Sequence, residues 1–350
     1  MKTTPIPRLA TLGGILFALL VAELMLRPFI AGAALDGKHR GPEYRQFWEG
    51  AAVSHFASDY SRSTGNSEIP GAPTLVILGD SHVEAVQVAD RFTMGAIAQS
   101  ELRARGIAVN IRQYGWGGVA VPKYLEEGPQ LLNRWNPEWV AVILNRGDLG
   151  RESLVSTPRL EFSPQMQATL IPTIEPRVGP FQKRIWGGIR AVAHSSSLFH
   201  AVLHRFQEII HSSLTSDDIG NLASVSRSPD QLDAKDPEDR RVLRALPRAS
   251  VMMLKDVFEP RLIIVYAAEV GIDSSAKPDD QEAGLLESCR AEGVRCISTR
   301  QRMLAMRDRE GRFCYGFMNT PLAEGHLNAL GHDVVGQLLA SEISESSPIH

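Results

Sequence analysis

Leu75-Val76-Ile77-Leu78-Gly79-Asp80-Ser81-His82 is the stretch on which the reading of this chain turns. Four apolar residues run into a glycine, a serine follows two positions later, and Val83-Glu84-Ala85-Val86 reads as the first turn of a helix. A buried parallel strand that bends sharply into a helix produces this pattern. The bend sets Ser81 at the carboxyl end of a strand, where open α/β sheets place their ligands. It also sets Ser81 at a helix N-terminus, whose free N–H groups favour developing negative charge. A hydroxyl so placed is suited to attack an acyl carbonyl. The plainer role stands beside it, because a serine after a strand is often only a helix cap.

The pattern repeats on either side. Thr74–Leu78 is the first strand, a helix covers Gly95–Arg105, and Ile107–Tyr114 alternates as a second strand ending in the glycine-rich Gly115-Trp116-Gly117-Gly118. Helix signals over Lys123–Trp135 precede a third strand at Trp139–Leu144, closed by Asn145-Arg146-Gly147-Asp148. Regular alternation stops across 151–257, which holds many Pro, Ser and charged positions, with one helix near Ile189–His211 and a charged run at Ser228–Arg248 read as a loop leading into a surface helix. Strand four follows at Arg261–Ala267, a helix at Asp279–Ala291, strand five at Val294–Ser298, and Glu324–Ala340 is a loop running into a helix. Strands alternating with helices predict a three-layer α/β/α sandwich on a mostly parallel five-stranded sheet. The domain is discontinuous, 73–150 and 258–345, with 151–257 an insertion or lid and 36–72 a polar linker whose Tyr44, Phe47 and Trp48 can pack on it.

Composition sets the bounds. At 350 residues, 43% hydrophobic and 22% charged, the chain has the make-up of a globular protein with a sizeable core. Its net charge of −3, with both signs interspersed, gives no basic face for nucleic acid. Cys289, Cys296 and Cys314 do not make a disulfide framework; the first two flank a helix-to-strand turn and can pair in an oxidising compartment, but buried free thiols are the favoured expectation. No Cys/His grouping reads as a zinc site, and neither a metal nor a cofactor is expected.

The N-terminus (1–35) reads as a short tail and a membrane segment. Leu9–Leu26 is apolar apart from Thr11 and Glu23, and the apolar character extends to residue 30. About 18 residues at 1.5 Å each approach the hydrocarbon thickness, so a single-pass helix through 9–30 is expected. Ala31-Gly32-Ala33 also fits a signal-peptidase site, while Glu23 and Arg27, four apart and able to pair, favour an uncleaved anchor. Lys2 and Arg8 favour an inside N-terminus and an extracytoplasmic body.

Acyl transfer by a serine needs a base, a group that orients the base, and donors for the oxyanion. The best base is His326, in a loop before the last helix, and Glu324, two residues earlier, is suited to hold its other ring nitrogen. Taken together these residues resemble the SGNH (GDSL-type) hydrolases, of the membrane-anchored bacterial type, over about 73–150 and 258–342. Gly79-Asp80-Ser81 matches the first block, Tyr114-Gly115-Trp116-Gly117-Gly118 the glycine block, and Glu324-Gly325-His326-Leu327-Asn328-Ala329-Leu330-Gly331-His332 the last. The resemblance implies Ser81 as nucleophile and Gly115 as an oxyanion donor beside the Ser81 N–H. In the third block the family ends in Gly-x-Asn-Asp, whereas here Gly147 stands in the asparagine's place, so either Asn145 reaches the hole from a shifted loop or two backbone donors remain. Glu324 stands where the family has Asp.

The remaining candidates carry less chemistry. Trp116 can wall a sugar site or merely pack, and Asp80 is expected to tie down its turn. His82 is expected to be structural, His332 to pack beneath the base, and His200 and His204 to be solvated. The expected function is a serine esterase acting on an O-acyl ester, such as an O-acetyl group of an envelope carbohydrate. The rivals are an O-acyltransferase on polysaccharide, a non-catalytic binding module on the same fold, and a docking role for 151–257.

Overall fold

The computed structural model describes residues 6–26, 42–45, 49–150, 152–155, 158–173, 196, 198 and 237–346. The helices are α1 (Ile6–Leu26), α2 (Ser81–Glu84), α3 (Met94–Ala104), α4 (Val121–Trp135), α5 (Glu152–Val155), α6 (Pro237–Phe258), α7 (Asp280–Glu292), α8 (Arg300–Glu310) and α9 (Ala329–Ser346). The strands are β1 (Glu43–Arg45), β2 (Val53–His55), β3 (Thr74–Gly79), β4 (Asn110–Gly115), β5 (Trp139–Leu144), β6 (Arg159–Phe162), β7 (Ala168–Ile171), β8 (Leu262–Tyr266) and β9 (Arg295–Ser298).

The central sheet has the order β4-β3-β5-β8-β9, and every pairing in it is parallel. Its middle strands carry no alternation because both faces are covered; all six residues of β5 are buried. Helix α9 packs on α3 over one face, and α4, α6 and α7 pack together over the other, which makes three layers. Strand order reverses between β3 and β5, and this crevice is where Ser81 emerges.

The structure departs from the sequence expectations at four places. The region read as an insertion up to 257 closes earlier, because α6 puts Leu246, Val251, Leu254 and Phe258 into the core. The stretch read as a linker is a strap across the edge strand. β1 pairs with β2, the Arg62 N–H bonds to the Gln113 carbonyl at 2.7 Å, and the buried Arg62 guanidinium pairs with Asp90. Cys289 and Cys296 form a disulfide rather than free thiols, because Gly293, with φ of 71°, turns the end of α7 back onto β9 and leaves the two Cα atoms 6.0 Å apart. The fourth departure concerns the membrane: among the described residues no helix is long and apolar enough to cross one. What α1 does present is an apolar surface, with Phe17, Leu20, Leu24 and Met25 each more than half exposed. Glu23 accepts from Ser196 Oγ and the Leu198 N–H, each at 2.9 Å, while its expected partner Arg27 lies outside the described residues. So do Phe47, Trp48, His200, His204 and, except for Ser196 and Leu198, the helix expected near 189–211.

Candidate active site

The turn after β3 is built from its first residues. Gly79 lacks the Cβ that would overlap Val83, so α2 folds back directly over the strand end. Asp80 caps α2 by accepting the His82 N–H at 2.8 Å through Oδ1, and its Oδ2 accepts from Asn145 Nδ2 at 2.7 Å. The helix lasts a single turn, shorter than its sequence implies, because Ala85 takes a left-handed φ of 55°. Gln113 braces the turn from β4, donating to the Val83 carbonyl at 2.5 Å and accepting the Gly95 N–H at 3.0 Å. Ser81 thus begins a helix, and its N–H is among the donors that helix geometry leaves without an intrahelical partner.

The last loop brings His326 across to Ser81. His326 Nε2 lies 2.8 Å from Ser81 Oγ, although the two residues are 245 positions apart. The carboxylate on the other ring nitrogen belongs to Glu49 in the strap, with Oε2 at 2.5 Å from Nδ1, and Glu49 Oε1 also accepts the His326 backbone N–H at 2.8 Å. Glu324, expected in this role, is exposed. The loop from Gly316 to His326 closes through a 3.0 Å bond from the Gly316 N–H to the His326 carbonyl. A carboxylate facing Nδ1 fixes the proton there and leaves Nε2 as the acceptor for the serine hydroxyl. The strap is locked to the same loop. Asn319 accepts the Gly50 N–H at 3.0 Å and donates to the Gly50 carbonyl at 3.2 Å.

Electrostatics agrees with this order. Burial works to raise the Glu49 carboxyl, but the hydrogen bonds and charge of His326 outweigh it and hold Glu49 below the usual carboxylate range. Burial works to lower the His326 imidazole, and the Glu49 carboxylate, with Asp80 and Glu84 behind it, outweighs that and raises it. His82 is lowered by burial, and His332, fully buried in α9, is pushed down to about 3 for the same reason.

The side expected to hold the oxyanion is built from the glycine loop and Asn145. A Cβ on Gly115 would overlap the Glu84 backbone, so this glycine is what lets α2 seat on the end of β4. The glycine beside Ser81 is Gly117, where a Cβ would lie 3.9 Å from Ser81 Cβ and 3.2 Å from Glu84 Oε2. Asn145 is buried; its Oδ1 accepts the Gly147 N–H at 2.7 Å and the Asp148 N–H at 3.2 Å. One Nδ2 hydrogen goes to Asp80, and the amide carries a second. Trp116 is half-buried in an aromatic row, 6.2 Å from the Tyr114 ring and 6.3 Å from the Tyr124 ring, with its backbone N–H on the Gly79 carbonyl at 3.1 Å. Among the described residues no group of three His, Cys, Asp or Glu side chains is arranged to hold a metal ion.

Glu49 is the residue that sequence reasoning missed. It stands 277 positions from its histidine, in a polar stretch without periodicity, and only the glycine after it hints at a turn.

The chain matches no family profile, and no curated protein matches it. Several solved structures are similar. One is the acetyl xylan esterase AlAXEase, at 13% identity and a TM-score of 0.41, covering 77% of this chain and 99% of that one. Another is a catalytic mutant of the acetylxylan esterase Axe2 from Geobacillus stearothermophilus, at 10% identity and 0.39, covering 79% and 96%. A third is the lipase/acylhydrolase from Enterococcus faecalis, at 13% and 0.38, covering 78% and 96%.

Proposed function

We propose that the chain is a serine ester hydrolase. The observation that carries this reading is the unbroken hydrogen-bonded line from Ser81 Oγ through the His326 ring to the Glu49 carboxylate. Ser81 Oγ attacks the ester carbonyl carbon as its proton passes to His326 Nε2. The tetrahedral intermediate collapses, the C–O bond to the alcohol breaks, and Nε2 returns the proton to the departing oxygen. Water then attacks the acyl-serine, again giving its proton to Nε2, and the acid leaves as Ser81 regains its hydrogen. Glu49 stays ionised throughout and stabilises the imidazolium. Donors for the oxyanion are the Ser81 N–H, the 115–118 loop and the second Nδ2 hydrogen of Asn145.

The substrate we propose is a small O-acyl ester, such as an acetyl group on a carbohydrate outside the cytoplasm. The disulfide supports an oxidising compartment. The exposed apolar surface of α1 supports contact with a membrane, and the half-buried Trp116, next in the chain to Gly117, supports a ring-stacking wall. Hydrolysis of p-nitrophenyl acetate tests the reaction class. The wild-type chain turns it over, and Ser81→Ala loses about 10³-fold or more; a Ser81→Ala chain that retains turnover overturns the proposal.

A further inference from the structure

His82 directly follows the nucleophile, yet its ring turns toward the C-terminal loop. Its Nδ1 accepts the Leu327 N–H at 3.1 Å, across 245 positions. A backbone N–H can only donate, so Nδ1 carries no proton and the neutral ring holds its hydrogen on Nε2. The ring is buried, stands edge-on to Tyr315 with centroids 5.7 Å apart, and lies 5.2 Å from the His326 ring. Tyr315 is itself fixed, its hydroxyl on the Ala267 carbonyl at 3.1 Å and its backbone bridged to Leu327. Two successive backbone N–H groups of the base's loop are therefore held from two directions. That of His326 goes to Glu49 in the strap, and that of Leu327 goes to the residue next to the nucleophile.

We propose that His82 is a positioning residue for the general base, its Nδ1 fixing the register of the 326–327 backbone so that His326 Nε2 meets Ser81 Oγ. This inference rests on the serine-hydrolase reading for its consequence, though not for its contact. His82 touches neither the reacting hydroxyl nor the ester. It transmits the position of the nucleophile turn to the loop, so any movement of α2 carries the base with it. Displacements of about 1 Å in such an arrangement cost on the order of 10²-fold in rate, which is the scale at which the contact matters.

Two substitutions separate the acceptor from the ring. His82→Phe keeps a planar ring and loses Nδ1; His82→Asn gives up the ring but keeps an oxygen near the Nδ1 position. On the full chain with p-nitrophenyl acetate, His82→Phe is expected to lower kcat by about tenfold or more with KM within about twofold, and His82→Asn to stay within about threefold of wild type. The Leu327 amide exchanges slowly in wild type and His82→Asn and fast in His82→Phe. Nitrogen-15 NMR of the unmodified chain shows His82 as the Nε2–H tautomer, a readout that needs no variant to fold. Three results overturn the proposal: an Nδ1–H tautomer, wild-type turnover in His82→Phe, or an equal loss of turnover in both variants. If the wild-type chain hydrolyses no ester while the tautomer and the exchange pattern hold, the hydrolase reading fails and the clamp stands.

Discussion

Glu49 and Glu324 make opposite predictions at the scale of single residues. Glu49→Gln places an amide against Nδ1, removes the charge that stabilises the imidazolium and disturbs the tautomer, so kcat/KM is expected to fall by about 10³-fold. Glu324→Gln, on an exposed side chain, is expected to change it by less than about twofold. Steady-state kinetics of the two variants side by side checks both. The pH profile carries a further sign. The base works only when neutral, and Glu49 raises His326, so the acid limb of kcat/KM lies above the ordinary imidazole value of about 6.5. Removing the carboxylate takes away the raising influence and leaves the burial that lowers, so in Glu49→Gln the limb moves to lower pH. Burial holds His82 below its ordinary value, so the limb belongs to His326. The contact between Ser81 and His326 was legible because each sits in a distinctive local string, while the Glu49 carboxylate was not. A hydrogen bond spanning 277 positions leaves no trace in spacing, and Glu324 drew attention only by standing near the base along the chain.

Among the elements, the Gly115 contact tests how α2 is seated. Gly115→Ala forces the end of β4 and the Glu84 backbone apart, and the overlap is with main chain rather than a movable side-chain tip. A loss of about 2–3 kcal/mol is expected, which is a Tm lower by roughly 3–5 °C for a chain of this size, together with reduced activity from the displaced Ser81. Thermal denaturation followed by circular dichroism checks it. The strands were legible where burial on both faces writes an unbroken apolar run, as in Trp139–Leu144, whose bounds sequence and structure share. β4 begins later than its apolar pattern, at Asn110 instead of Ile107. The Ile107 N–H closes the end of α3 on the Leu102 carbonyl at 2.9 Å, so these residues finish a helix before they start a strand. α8 was not legible. Its sequence is largely charged, with only Met303, Leu304 and an Arg300 paired to Glu282 turned inward.

For the whole molecule, the strap and the disulfide are the two ties laid over the sheet and its helices. The strap brings Glu49 to a sheet formed entirely by later residues, so the site is complete only when residues 49–50 are docked on the 316–326 loop. Its role was hidden because a polar stretch with Gly, Ser and Pro reads as linker. Cys289 and Cys296, seven positions apart, close a short loop far from Ser81 in sequence. Replacing both with Ser is expected to lower stability by about 2–3 kcal/mol while leaving kcat near wild type, as chemical denaturation and ester hydrolysis would read. Intact-mass analysis after a fluorophosphonate is the most direct test of the central claim, that Ser81 is a nucleophile activated by His326 and Glu49. The expected result is one adduct per chain, located on the peptide holding Ser81, absent in Ser81→Ala and slowed in Glu49→Gln. A folded wild-type chain that gains no adduct at Ser81 would contradict it.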